Sequence, residues 1–373
     1  IRDQGDGLVG SEMCIRDRRG THQGEKGHLQ AHRKVQMKKT VSFSKRSKNI
    51  FFHILTTCNL RCRHCYINKE QHGSRTLPLD IVSTWLEAFT GGNADANLVL
   101  LGGEPTLHPE LAEIVKAAKD MDYLSITIDT NGYLFNDILS KVTPLEVDYF
   151  SFSLDGPTPE INDRIRGRGS FATCVAGIEA AVKRGFNASL IYTVSSDNLN
   201  GLEGMVPLVK KLPISRFFIQ VIGLRGASAG AHALSGKYDI QQVAHRDWMN
   251  TIPDVAEQVA HDGVTVTYPK VYLEPEASFA CAGMVAENYF IFPNGRVYRC
   301  PLCEDFPVHG LAFENDMLKK MPPINETDLF QLSIPEGCVM NKIIQPDNIA
   351  YDRNGRPKFK IACCLLKEEV TCR

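Results

Sequence analysis

IFFHILTTCNLRCRHCY, residues 50–66, runs from an apolar stretch of strand length straight into a loop that carries Cys58, Cys62 and Cys65. Six largely apolar residues are too few for a buried helix and predict a buried strand at 50–55. Five more such runs follow: NLVLL (97–101), LSITID (124–129), VDYFSFSL (147–154), ASLIYTV (188–194) and RFFIQVI (216–222). Stretches with helical period lie between them, among them PLDIVSTWLEAF, PELAEIVKAAKDM, SFATCVAGIEAAVKRG and LEGMVPLVKKL. This alternation marks an α/β chain of repeated βα units on a parallel sheet, wound either as an open doubly wound sheet or as a partial barrel. In both, ligands gather at the carboxyl ends of the strands. Four chemistry-bearing motifs fall at those ends: the cysteine loop after the first strand, GGEP (102–105) after the second, DTNG (129–132) at the third and SLDG (153–156) at the fourth.

The three cysteines are spaced Cx3Cx2C. A structural metal site closes with four ligands, whereas a site that does chemistry keeps a position open. Zinc would need a distant fourth ligand such as His53, His64 or His72. A 4Fe-4S cube held by three thiolates would instead leave its fourth iron free for a chelating ligand. The Gly-Gly-Glu turn favours the cube. Glycines let backbone approach a bound ligand, and the turn offers carbonyl and carboxylate acceptors to an ammonium group.

Cx3Cx2C after a first strand, with GGEP after the second, resembles the radical S-adenosylmethionine (SAM) superfamily over residues 48–222. The resemblance implies a partial (β/α)6, TIM-like barrel. In that family the amino and carboxylate groups of SAM chelate the unique iron. An electron from the reduced cluster then cleaves the sulfonium to methionine and a 5′-deoxyadenosyl radical, which abstracts hydrogen from the substrate. Carried over residue by residue, Cys58, Cys62 and Cys65 would hold the cluster, His64 would touch the adenine, and Gly102, Gly103 and Glu104 would receive the SAM ammonium. Ser153 is a candidate for the ribose or methionyl end and Arg166 for the SAM carboxylate. Their plainer readings are a strand-end hydroxyl capping a turn and a solvated or helix-entry cation. Asn131-Gly132 and Asp155 read most simply as turn residues.

Beyond Asp239 a polar helix pattern runs to about His261, after which strand rhythm returns in an antiparallel style. ENYFIFPNGRVYRC (287–300) predicts a hairpin turning at Asn294-Gly295. The expected organisation is a barrel at 48–238, a connecting helix at 239–263 and a small Cys-rich α+β domain at 264–373. Within the last, Cys281, Gly295 and Cys300 form Cx13Gx4C, which resembles the opening of the SPASM and Twitch extensions of radical SAM enzymes, binders of auxiliary iron-sulfur clusters. The Cx2Cx5Cx3C segment of a two-cluster SPASM domain is absent, since after Cys300 and Cys303 the next cysteine is Cys338. One auxiliary 4Fe-4S cluster is therefore implied, on Cys281, Cys300 and Cys338 with a fourth ligand from Cys303, Cys363 or Cys364. Adjacent Cys363 and Cys364 point opposite ways on an extended backbone, so only one of them is expected at the cluster. Zinc on Cys281, Cys300, Cys303 and Cys338 is the rival reading. Cys174, inside a helical pattern, reads as core packing. GLRGASAGAHALSGKYD (223–239) either lines the active site or links domains.

The chain of 373 residues is 43% hydrophobic and 23% charged, with a net charge of -1, which gives no basic field for nucleic acid or an anionic membrane. No apolar run approaches the roughly 20 residues that span a bilayer. Clustered cysteines in a chain of this size point to metal binding in a reducing cytoplasm rather than to a disulfide framework. LVGSEMCIRDR (8–18) resembles the translation of a transposon-end sequencing adapter, so residues 1–36 are expected to be non-native or disordered, with Met37 the true start. The expected partners are a peptide or small-molecule substrate and a reductant such as flavodoxin or ferredoxin, acting on a monomer. The expected activity is hydrogen abstraction from a peptide side chain during peptide maturation. Its alternatives are radical dehydrogenation of a small molecule and a non-catalytic iron-sulfur or zinc protein serving electron transfer or scaffolding. GGEP argues against the last, since a carrier needs no ammonium-binding turn.

Overall fold

The computed structural model describes residues 36–90, 95–229 and 242–372. Most of the expected adapter-derived segment therefore lies outside the described residues. The first strand, β1 (Gln36–Val41), escaped the sequence reading because its residues are exposed up to Val41 and no apolar run marks it. The six expected strands follow as β2 (Ser47–His53), β3 (Asp95–Leu101), β4 (Ser125–Thr130), β5 (Tyr149–Ser153), β6 (Ala188–Val194) and β7 (Arg216–Val221). They pair parallel in sequence order, with Phe52 opposite Leu100 and Leu100 opposite Ile128. The result is an α/β fold on a parallel sheet.

Residues beyond 264 extend both edges of this sheet. On one side β8 (Thr265–Pro269) pairs parallel with β7. Short β9 (Tyr272–Leu273) leaves the sheet, and β10 (Glu287–Ile291) joins the opposite edge, parallel with β2. From there β11 (Arg296–Tyr298), β12 (Leu311–Glu314) and β13 (Met317–Lys320) continue as antiparallel neighbours. β14 (Lys360–Ile361) pairs with β9, and β15 (Lys367–Cys372) runs antiparallel between β8 and β1. Together they make one 13-stranded sheet with β1 and β13 at its edges, which do not pair with each other among the described residues.

The antiparallel style expected after residue 264 is found wherever these later strands pair with one another, β8 with β15 and β10 with β11 included, while β8 and β10 each also join a barrel strand in parallel. Alternating apolar residues report that a strand has a buried face; which edge it meets, and in which direction, is set by the open edges of the barrel strands. The expected hairpin forms, with Gly295 at φ +87° in the turn, a conformation that favours glycine.

Phe52, Leu98, Leu100, Ile128, Phe150 and Phe152 are fully buried on the sheet, each contributing about 1.5–3 kcal/mol of apolar burial. The helix Leu79–Thr90 packs on β3 and stacks Trp85 on Phe52, its Val82, Trp85, Leu86 and Phe89 spaced to lie on one face. A buried polar ladder crosses four neighbouring strands. Ser125 Oγ donates to Asn97 Oδ1 (2.7 Å), Asn97 Nδ2 to Asn49 Oδ1 (3.3 Å) and Asn49 Nδ2 to Asn288 Oδ1 (3.0 Å). Each pair is also in direct register, so a slip of one residue would bury unpartnered amides.

Candidate functional site

Past β2 the cysteine loop lies on the exit of β3. Gly103 N–H donates to the Leu55 carbonyl and Glu104 N–H to that of Thr57, both at 3.0 Å. A Cβ on Gly103 would sit 2.3 Å from the Thr57 oxygen, and one on Gly102 2.7 Å from the Leu55 oxygen. Only bare backbone permits this approach, so the two glycines hold the loop that carries Cys58, Cys62 and Cys65.

Glu104 is buried, and its Oε1 accepts from Thr106 N–H (3.1 Å), the Thr106 hydroxyl (2.6 Å) and the Thr130 hydroxyl (2.8 Å). Oε2 accepts from Asn131 N–H (2.8 Å) and retains lone-pair capacity for a further donor. Burial pushes the Glu104 carboxyl up, and these donors oppose it. Asn131 also reaches the cysteine loop, with Nδ2 2.8 Å from Asn59 Oδ1 and 3.8 Å from Cys58 Sγ.

Asp155 is fully buried just beyond β5, where its Oδ1 accepts from Thr193 N–H (2.8 Å). Its Oδ2 lies 2.6 Å from Arg166 Nε and 3.0 Å from His64 Nε2. Burial alone would raise this carboxyl, but Arg166 and then His64 outweigh it and hold the group well below the usual carboxylate range. With Nε2 facing Asp155, the other ring nitrogen of His64, Nδ1, is buried without a protein partner.

His64, Arg166, Glu104 and Asn131 share one cavity of about 350 Å³, within the size range of small-molecule sites, with Asp155 behind His64 and Arg166. Cys58, Cys62, Cys65, His64, Gly102, Gly103, Glu104, Ser153 and Arg166, all named from sequence, line it. The sequence reading missed Asp129, Gln220, Arg225, Glu304 and Lys367, which line it too. Asp129 stood in the quoted DTNG motif, Gln220 in the sixth strand run and Arg225 in the segment 223–239 that could line the site; Glu304 and Lys367 come from segments whose convergence no local pattern announces. The described part of 223–239 belongs to the site rather than to a linker: Gly223 and Arg225 line the cavity, and Ala227 N–H donates to the Cys65 carbonyl (2.8 Å). Arg225 pairs with Glu304, donates to the Pro301 carbonyl (2.6 Å) and lies 4.9 Å from the Tyr66 ring centre. His232 of that segment lies outside the described residues.

A second group of thiols lies beside the first cavity. Cys281, Cys300, Cys338, Cys363 and Cys364 line one apolar space, with Cys303 buried one turn beyond Cys300. The expectation that Cys363 and Cys364 diverge is corrected. The chain turns there, Leu366 N–H donating to the Cys363 carbonyl (2.9 Å), and both residues face the same space. Cys364 and Leu365 border both cavities, so this segment is the wall between them. Cys174 is buried core, as expected.

Residues 53–207 match the family model of the radical SAM superfamily. Those residues form a radical SAM domain. Over 191 residues it is 29% identical to a probable GTP 3′,8-cyclase of Sulfolobus acidocaldarius, covering 51% of this chain and 60% of the cyclase's length. Over 269 residues it is 27% identical to the mycofactocin maturase MftC of Mycobacterium ulcerans, covering 70% of this chain and 69% of that one. In fold it is similar to Streptococcus suis SuiB bound to its precursor peptide SuiA, with TM-score 0.61 at 14% identity over 82% of this chain and 74% of that one.

The cofactors of the superfamily are a 4Fe-4S cluster and SAM, and the radical SAM site has residues that fit both. Three thiols border one cavity beside a buried carboxylate with spare acceptor capacity, and an orphaned imidazole nitrogen awaits a partner. Among the described residues no three His, Cys, Asp or Glu side chains converge as ligands of a single metal ion do. Nor is any described helix long and apolar enough to cross a membrane.

Proposed function

We propose that this radical SAM enzyme abstracts hydrogen from a peptide side chain, using a SAM-bound cluster on Cys58, Cys62 and Cys65 and an auxiliary cluster among the later cysteines. The observation that carries the reading is the single cavity in which the three thiols, the Gly102–Glu104 turn and the His64–Asp155–Arg166 group meet. When bound, the cluster supplies the electron that cleaves SAM and so generates the hydrogen-abstracting radical. The chain's own residues bind and orient. Gly102 and Gly103 bring backbone within reach of the SAM ammonium, and Glu104 Oε2 accepts from it. Asp155 fixes the ring of His64 so that Nδ1 is offered to the adenine, and it aims Arg166 at the SAM carboxylate. Ser153, on the same wall, serves the ribose or methionyl end.

A peptide is favoured over a nucleotide because the match to the maturase spans 70% of this chain, whereas the cyclase match spans 51%. The auxiliary cluster would rest on Cys281, Cys300 and Cys338 with Cys363 or Cys364. The test is anaerobic reconstitution, then SAM binding and 5′-deoxyadenosine formation with dithionite. Wild type should bind SAM and release 5′-deoxyadenosine, and Cys58→Ala should do neither. Reduced, iron-loaded wild type that bound no SAM would overturn the reading.

A further inference from the structure

Three of the charged groups on the main cavity wall have protein partners. Arg166 is committed to Asp155 and Arg225 to Glu304, while Glu104 takes four protein donors. Lys367, the first residue of β15, lines the same cavity and has no carboxylate or hydrogen-bond partner among the described residues; burial disfavours its ammonium, and the nearby Cys364 and Cys363 thiols are what favour it. An ammonium set into such a wall with no carboxylate beside it is favoured by a bound anion, which offsets the cost of its burial.

Two amides share the cavity with it. Asn341, on the helix Val339–Ile344, is 6% exposed, and its Oδ1 is buried without a donor. Gln345 caps that helix at 4% exposure, its Oε1 accepting from Leu224 N–H (2.9 Å) and Gln242 Nε2 (2.5 Å), while its own amide nitrogen has no acceptor among the described residues. An unused acceptor and an unused donor are what one peptide group satisfies with its N–H and C=O. The surrounding wall is apolar, formed by Val271, Ile361, Ala362 and Leu365. All these residues follow position 264, on the part of the chain that the SAM-binding motifs leave unused.

We propose that Lys367, Asn341 and Gln345 form the substrate-anchoring subsite, and that the group it takes is a carboxylate carried by a peptide-like chain. The inference rests on the proposed function and names what the substrate must present: a chain end or an acidic side chain, seated opposite the SAM-binding wall.

The test uses full-length, cluster-loaded protein and three probes: N-acetyl-Ala-Val as the free acid, the same dipeptide as its C-terminal amide, and N-acetyl-Glu-Val amide. Binding is read by calorimetry or ligand-observed NMR. At least one acidic probe should bind at least tenfold more tightly than the neutral amide, and which one does so tells a chain end from a side chain. Lys367→Met should abolish that preference and Lys367→Arg restore most of it. Should Lys367→Met misfold by circular dichroism, Lys367→Gln takes its place. Equal or absent binding of all three probes overturns the proposal, as does a preference that survives loss of the ammonium. So does a folded Lys367→Met protein that keeps the preference and changes only the auxiliary cluster's electron paramagnetic resonance, since Lys367 would then serve the cluster. SAM binding by wild type is scored separately. If it fails while the acidic preference holds, the radical-enzyme reading falls and the subsite stands.

Discussion

Asp155 and Asp129 are both carboxylates in strand-end motifs, and their surroundings drive them in opposite directions. Asp155 meets the Arg166 guanidinium and the His64 ring and stays ionised; its Asp-Gly pair had looked like turn chemistry because the partners that give it a role, His64 and Arg166, are remote in sequence. Asp129, at the end of β4, is pushed up to about 7, chiefly by burial, with the Ser151 hydroxyl opposing and Glu104 adding to the rise. The folded protein therefore keeps a proton that the unfolded chain gives up near pH 4, and stability falls as pH rises from about 4 through about 7. At about 1.4 kcal/mol per pKa unit the loss by pH 8 is on the order of 4 kcal/mol. Asp129→Asn should thus stabilise the protein at pH 8 by an amount of that order and have little effect at pH 4. Urea denaturation at the two values checks this; a difference independent of pH would sink it.

At the scale of elements, the junction between the cysteine loop and GGEP was legible as a motif, while the reason for its glycines is steric and only appears on contact. Nothing local says that Gly103 touches Thr57. A methyl group there would meet backbone rather than a yielding side chain, so the loop must lift. Gly103→Ala should lose SAM binding and roughly half the iron, that of the first cluster, with the later cysteines still loaded. Iron analysis with SAM equilibrium dialysis is the measurement, and full iron with normal SAM binding would refute the account. The six βα strands were readable because each is a run of apolar residues between turn signals. β1 was not, since it gains its place by pairing with β15 and buries almost nothing of its own.

Across the whole molecule, one sheet carries both groups of cysteines, and the segment from Cys363 to Lys367 runs from the second thiol group to the main cavity. A Cys58/Cys62/Cys65 triple alanine variant should therefore still hold about one 4Fe-4S cluster on the remaining thiols. Mössbauer or iron and sulfide analysis decides; complete loss of iron would mean that the later cysteines hold no cluster of their own. By itself the sequence determined the βα rhythm, the spacing of the first three thiols and the glycine turn beside them. Those depend on residue size, polarity and order within a few positions. Only the tertiary structure decided that β8 and β10 join the barrel strands in parallel, that Cys363 and Cys364 share one space, that Asp155 backs His64 and Arg166, and that Lys367 enters the site. Such facts depend on which edges and cavities distant segments meet, and on the charge each meets there.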